Sequence, residues 1–401
     1  MKKTRFSFGP GLLVTAAFIG PGTVATASSA GANFTFALVW ALLFSVAATM
    51  TLQEMSVRSA IVTGDGLAVT LRRALHTSIA GRLALIGVVA AIGVGNAAYE
   101  SGNIAGAALA LGGTGTASDA QWSLAIGGAA ALLLFLPAYR LIEKVLVALV
   151  LAMSAVFLVC AVALAPAWSD LLAGIRPSLP AGSLTTVIAL IGTTVVPYNL
   201  FLQANAARDH WGGEAQNPGA LASARFDTYA SVALGGVITL AILSIGAMTA
   251  LARDEAFSVA AMSSQLEPVL GPAGRYLFAA GLAAAGLTSA VTAPLAAAYA
   301  VSGVLGLDDS LRGRAFRAIA LGVVAIGTAF AVTGSSPLSL ILFAQAANGL
   351  MLPVVAAVLL WLMNQRRFLG DAVNGWRSNA LGVLVVAVTV ALGAYKLLSL
   401  A

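Results

Sequence analysis

Long apolar runs separated by short polar stretches repeat along the whole chain. Runs of about 18 residues or more can cross roughly 30 Å of hydrocarbon as helices. The period-two alternation that a membrane barrel needs is absent, and Ala, Leu and Gly dominate the runs. The pattern predicts eleven spanning helices, at 11–31, 36–61, 82–112, 120–138, 141–166, 183–206, 225–252, 274–304, 314–333, 337–364 and 379–399. The third and eighth are longer than a bilayer requires, so tilt or interfacial end turns are expected there. Trp40, Trp122, Trp168 and Trp361 fall near span ends, where indole rings anchor at the interface.

Two of these spans are interrupted in their middles. The first contains Ile19-Gly20-Pro21-Gly22-Thr23, and the sixth contains Ile191-Gly192-Thr193-Thr194-Val195-Val196-Pro197-Tyr198-Asn199. Proline removes a backbone donor and glycine loosens the chain. Backbone groups freed inside a membrane must line a cavity or find another partner. Breaks five spans apart, at corresponding places in two halves, are the sequence sign of an inverted-repeat transporter. The expected organisation is one transmembrane domain over 1–401, with a first repeat at 11–166, a second at 183–364 and an additional helix at 379–399.

Composition removes the competing classes. Hydrophobic residues make up 60% of the 401 and charged residues only 9%, with mean hydropathy +0.95. A soluble domain carries about 25% charged residues, so a soluble enzyme is excluded. The net charge of +6 belongs to loops, since no basic cluster interleaved with aromatics offers a nucleic-acid surface. Placing the N-terminus in the cytosol puts 17 of the 21 Lys and Arg residues on that side. The positive-inside rule then gives a cytoplasmic (inner) membrane protein with a cytosolic N-terminus and an external C-terminus. Lys2, Lys3 and Arg5 before an apolar stretch imitate a signal peptide, but the Gly20-Pro21-Gly22 interruption makes the stretch a first helix. Cys160 stands alone in an apolar run, which leaves no disulfide and no cysteine metal site within the chain. His76 and His210 fall in loops, far apart. No spanning histidine, zinc-protease motif or phosphate-binding GxxxxGK[ST] loop is present, so neither an intramembrane enzyme nor an ATP-driven pump is expected.

The motifs in order resemble the NRAMP family of proton-coupled divalent-metal transporters over nearly the whole chain. Gly9-Pro10-Gly11 opens the first span as in that family. Leu52-Gln53, Arg58 and Val62-Thr63-Gly64 match the end of its second helix, and Pro197-Tyr198-Asn199-Leu200-Phe201-Leu202-Gln203 follows its helix 6 motif. Arg225-Phe226-Asp227-Thr228, Ala285-Gly286-Leu287-Thr288-Ser289-Ala290-Val291-Thr292, Gln345 and Leu352-Pro353 match helices 7, 8 and 10. The resemblance implies an all-α membrane protein of LeuT-type fold, with a five-plus-five inverted repeat, one trailing helix, and helices 1 and 6 broken. It also implies alternating access and proton coupling.

The departures fall on the family's ligands. Where the family reads aspartate-proline-glycine-asparagine, this chain has Gly20-Pro21-Gly22-Thr23. The family's helix 6 methionine is Val195, and its two histidines there are Tyr198 and Gln203. Two acidic residues one turn apart in helix 3 become Glu100 and Asn103. Manganese and iron suit a site of carboxylate, amide, carbonyl and thioether donors, and magnesium usually keeps water and one or two carboxylates. Neutral oxygens alone compensate a dication poorly at the midplane. The expected substrate site is therefore Gly20, Thr23, Val195, Tyr198, Asn199, Gln345 and Asn348, and the expected cargo a small polar organic solute. The alternatives are a divalent cation, as in the parent family, and a sensor that no longer transports.

Proton coupling or gating is expected at Glu100, Asn103, Asp227 and Glu54. Glu100 lies with Asn96, Tyr99 and Asn103 on roughly one helical face. Arg58 follows Glu54 by four residues, the spacing of an intrahelical pair, and Asp227 is expected at the start of helix 7, where a carboxylate favours the dipole. No cofactor is expected beyond a coupling ion, the proton. The expected partners are the bilayer and a small solute or ion, with no obligate protein partner.

Overall fold

The computed structural model describes residues 19–112, 117–136, 139–212, 218–253, 262–308, 310–311, 313–333 and 336–398. Among them the regular structure is helical: α1 (Pro21–Phe34), α2 (Val39–Thr63), α3 (Leu67–Leu75), α4 (Ile79–Gly112), α5 (Asp119–Leu133) and α6 (Tyr139–Leu164). There follow α7 (Leu184–Thr194), α8 (Pro197–Trp211), α9 (Pro218–Arg253), α10 (Ala273–Leu305), α11 (Arg314–Val332), α12 (Pro337–Leu362) and α13 (Trp376–Leu398), with a few short turns between.

Each expected span has its helix, although the first half of the first span lies outside the described residues. Among the described residues, eight stretches are long and apolar enough to cross a membrane by length and composition, one of them running through α7 and α8 together. The remaining three are α1, α2 and α5. α1 and α5 are 14 and 15 residues long, and α2 carries Glu54 and Arg58 near its end. The long third and eighth spans are continuous helices of 34 and 33 residues. One boundary is corrected: α9 begins at Pro218, not at 225, so Asp227 lies more than two turns inside it and does not cap it.

Polar side chains inside the bundle are satisfied locally where they can be. Ser45, Thr49, Thr239 and Thr288 each donate to the carbonyl four residues back, at 2.6–2.8 Å. In a medium without water this leaves fewer orphan hydroxyls. Small residues then let backbones meet. A Cβ on Gly31 of α1 would stand on the Leu243 carbonyl of α9, and one on Gly246 would lie 2.5 Å from the Ser28 carbonyl. Gly31→Ala is therefore expected to force α1 and α9 apart, at a cost of about 1–3 kcal/mol by overpacking. A thermal melt in detergent checks this: an unchanged midpoint would show that the contact is looser than described.

The core is centred on α4, which packs along α10 and α12, while α1 lies along α9. These contacts bring the middle of α4 against the start of α1 and place both beside the α7–α8 junction.

Candidate functional site

The sixth span stops being helical for two residues. α7 ends at Thr194, Val195 takes φ −98° and ψ 77°, and Val196 is extended at φ −83° and ψ 118°. Pro197 then begins α8, a position where its missing N–H costs nothing. The groups freed around the break find substitutes. Val195 N–H donates to the Ile191 carbonyl at 2.8 Å, and the Thr49 hydroxyl reaches the Thr194 carbonyl at 3.2 Å. In the first span Gly20 is extended (φ −93°, ψ 179°) and Pro21 begins α1. The two breaks touch: the Thr23 and Thr193 hydroxyl oxygens are 3.0 Å apart.

Other helices close on this point. Ser289 Oγ of α10 lies 3.2 Å from where a Gly20 Cβ would stand, and the Tyr99 hydroxyl of α4 lies 3.9 Å from it. The Tyr99 and Tyr198 rings meet edge to face with centroids 5.4 Å apart. The Gln345 carboxamide of α12 occupies the space beside Gly22, and Asn348 Oδ1 lies 3.4 Å from the Cβ position of Gly95. All of these residues are buried. Within the protein, Asn199 Nδ2 and Oδ1, Gln345 Nε2 and Oε1, Asn348 Nδ2, Asn96 Nδ2 and Ser289 Oγ have no hydrogen-bond partner. Buried amides with nothing to bond are uncommon and point to a ligand, an ordered water or another conformational state.

Of the expected substrate residues, Gly20, Thr23, Tyr198 and Gln345 are drawn into one cluster by direct contacts. Val195 lies in the break, Asn199 stands in the first turn after it, and Asn348 sits one turn along α12 from Gln345. Tyr99, Thr193 and Ser289 complete the cluster and were absent from the expected site. Thr193 was visible in the break and Ser289 in the helix 8 motif, but nothing in the sequence aimed Ser289 at Gly20.

The expected single face of α4 divides. Tyr99 turns to Tyr198, whereas the Glu100 side chain turns to α11, where its Cγ lies 2.5 Å from a Cβ position on Gly327. Glu100 Oε2 accepts from Asn103 Nδ2 at 3.3 Å, and Oε1 has no partner. The stem of Glu100 thus packs on α11 and not in the cluster, while its carboxylate stays close enough to act electrostatically on Tyr99 and Tyr198.

Glu54 is more than half of an intrahelical pair. Its Oε2 accepts from Arg58 at 3.0 Å and its Oε1 from Arg225 of α9 at 2.8 Å. Arg58 also donates to the Ala372 carbonyl at 2.7 Å and to Asn374 Oδ1 at 2.6 Å, both in the α12–α13 connection. Asp227 is fully buried. No group of three or more His, Cys, Asp or Glu side chains able to hold a metal is found among the described residues. An open groove of about 570 Å³ between α12 and α13, lined by Leu360, Trp361, Val383 and Val390 among others, contains none of the break residues.

Spanning helices packed around two touching breaks define a secondary-transporter architecture. The family model described as "Natural resistance-associated macrophage protein-like" matches residues 11–399, so the chain belongs to the NRAMP family. Among curated relatives it is 29% identical over 395 residues to divalent metal cation transporter MntH 1 of Pseudomonas aeruginosa, covering 93% of this chain and 87% of that one. It is 28% identical over 376 residues to MntH of Acidiphilium cryptum, covering 92% and 84%. Among solved structures, the manganese transporter of Eremococcus coleocola superposes with a TM-score of 0.74 at 23% identity, covering 96% of this chain and 84% of that one. The inward-facing structure of Mhp1 gives 0.56 at 14% identity, covering 98% and 92%. The fold is therefore LeuT-type, as the resemblance implied.

Proposed function

We propose that the protein is a secondary transporter of the inner membrane that works by alternating access around the two breaks and carries a small polar organic solute. The observation that supports this cargo is the donor set. The cluster offers amides and hydroxyls with no protein partner, and Gly20, Thr23 and Val195 stand where the family has its ligands. The carboxylate nearest in sequence, Glu100, is turned toward α11. Glu100 carries the coupling proton in this reading, and the cytosolic N-terminus follows from the Lys and Arg tally.

The second reading is a divalent metal cation, and the relatives favour it: the curated proteins matched over most of the chain are named divalent metal cation transporters. In it the amide oxygens of Asn199 and Gln345 and the Thr23 hydroxyl would hold a partly hydrated ion.

Uptake into proteoliposomes with an internal pH dye divides the two. The expected result is no uptake of Mn²⁺ or Mg²⁺, acidification with the transported solute, and solute uptake without acidification in Glu100→Gln. Uptake of either dication with acidification would establish the second reading in place of the first.

A further inference from the structure

Among the described residues, the backbone around the breaks has a sign. Both α1 and α8 begin at the site, each with a proline in its first turn, no acidic residue there and no side chain capping it. A helix N-terminus carries about +0.5 of an elementary charge and leaves its first N–H groups without helical acceptors. The opposing end is muted. At the C-terminus of α7 the Thr49 hydroxyl bonds the Thr194 carbonyl at 3.2 Å, the Thr194 hydroxyl bonds the Leu190 carbonyl at 2.8 Å, and Val195 N–H bonds the Ile191 carbonyl.

The side chains agree with the backbone, independently of it. The Gln345 carboxamide, fully buried and without a partner, lies against Gly22 in the first turn of α1. Asn199, 1% exposed and unpartnered at both amide atoms, stands in the first turn of α8. Ser289 Oγ faces Gly20, and Tyr99 bridges toward Tyr198. Two N-terminal dipoles, two free carboxamides and a free hydroxyl converge, with no charged side chain among them in the described residues. In a membrane interior this environment disfavours a bare dication and favours a small anion.

We propose that the cargo bears a carboxylate, which seats between the N-terminal ends of α1 and α8, with the Gln345 and Asn199 carboxamides as its side-chain donors. The proposal rests on the organic-solute reading and narrows it to small monocarboxylates. A proton taken with each carboxylate makes the transfer electroneutral, so the membrane potential does not oppose entry.

The test is thermal stabilisation of the purified full chain in nanodiscs at fixed ionic strength. Acetate, lactate, pyruvate and benzoate are each compared with their primary amides, with sodium chloride and with Mn²⁺. Carboxylates are expected to raise the melting temperature in a saturable way, and the amides, equal in shape but neutral, are not. Two variants of equal bulk then isolate charge. Gly20→Asp is expected to bind carboxylates at least about tenfold more weakly than Gly20→Asn, because a charge only a few ångströms from the seated anion repels it in a low-dielectric site. Amides that stabilise as well as their acids would overturn the carboxylate and leave the organic-solute reading standing. Chloride stabilising as well as the acids would reduce the site to an inorganic anion site and overturn it too. Stabilisation by Mn²⁺ with no response to any carboxylate would remove both readings.

Discussion

Arg58→Ala is expected to destabilise the protein by about 3–5 kcal/mol, the usual consequence of removing one partner from a buried ion pair. Glu54 and Arg58 are both nearly inaccessible, at 6% and 4% exposure. Without the guanidinium, the Glu54 carboxylate keeps only Arg225, whose side chain is 42% exposed, and Ala372 and Asn374 lose their donor. A double-mutant cycle separates the two arginines. Coupling of Glu54 to Arg58 should exceed its coupling to Arg225, because solvent-screened pairs contribute only about 0–1 kcal/mol. Chemical or thermal unfolding of the four proteins in each cycle provides the measurement. Equal couplings would show that burial of Arg58 is not what gives the contact its strength. The same contacts tie α2 to α9 and to the α12–α13 connection, so the destabilised variant is expected to lose transport along with its fold.

That network shows where sequence reasoning stops. Glu54 and Arg58 are four apart on one helix, and their pair could be read from spacing alone. Arg225 is 171 residues away along the chain, and only the packing of α2 on α9 introduces it. The spans were legible because lipid enforces one rule, a continuous apolar helix, over long stretches. The two breaks were legible because proline and glycine announce them. Rotation about a helix axis was not. Tyr99 and Glu100 are neighbours, yet one faces Tyr198 and the other Gly327, a division set by which neighbour each side of α4 meets. Helix starts were also blurred. Pro218 marks the beginning of α9, but the apolar pattern rises only later, which misplaced Asp227 at its end. The cluster was half legible: Gly20, Thr23, Val195, Tyr198 and Asn199 on the broken spans and Gln345 and Asn348 on α12 were expected there, whereas Thr193 beside the break and Tyr99 and Ser289 on unbroken helices were not.

Restoring the family's ligands should reverse the preference of the site. The triple change Gly20→Asp, Thr23→Asn and Val195→Met supplies a carboxylate, an amide oxygen and a thioether around the breaks, a donor set suited to Mn²⁺. There is little room for it. Ser289 Oγ lies 3.2 Å from the new Cβ at position 20, and Thr23 and Val195 are 0% and 1% exposed. Overpacking is therefore expected to cost about 1–3 kcal/mol, so a folded fraction must be confirmed by size-exclusion profile before binding is read. Ser289 Oγ has no partner in the native chain and can turn to hydrogen-bond the added carboxylate, which offsets part of that cost. The expected result, by calorimetry or by the loss of free Mn²⁺ signal in paramagnetic resonance, is Mn²⁺ binding in the triple variant, weaker binding in Gly20→Asp alone and none in the native chain. Carboxylates should meanwhile cease to stabilise the triple variant, because one added negative charge cancels the roughly +1 of two helix N-termini and so removes the attraction for an anion. A native chain that binds Mn²⁺ as tightly as the triple would mean that neutral oxygens suffice here and that the missing ligands are not what sets the cargo. A folded triple that binds none would place the barrier in the packing around the breaks.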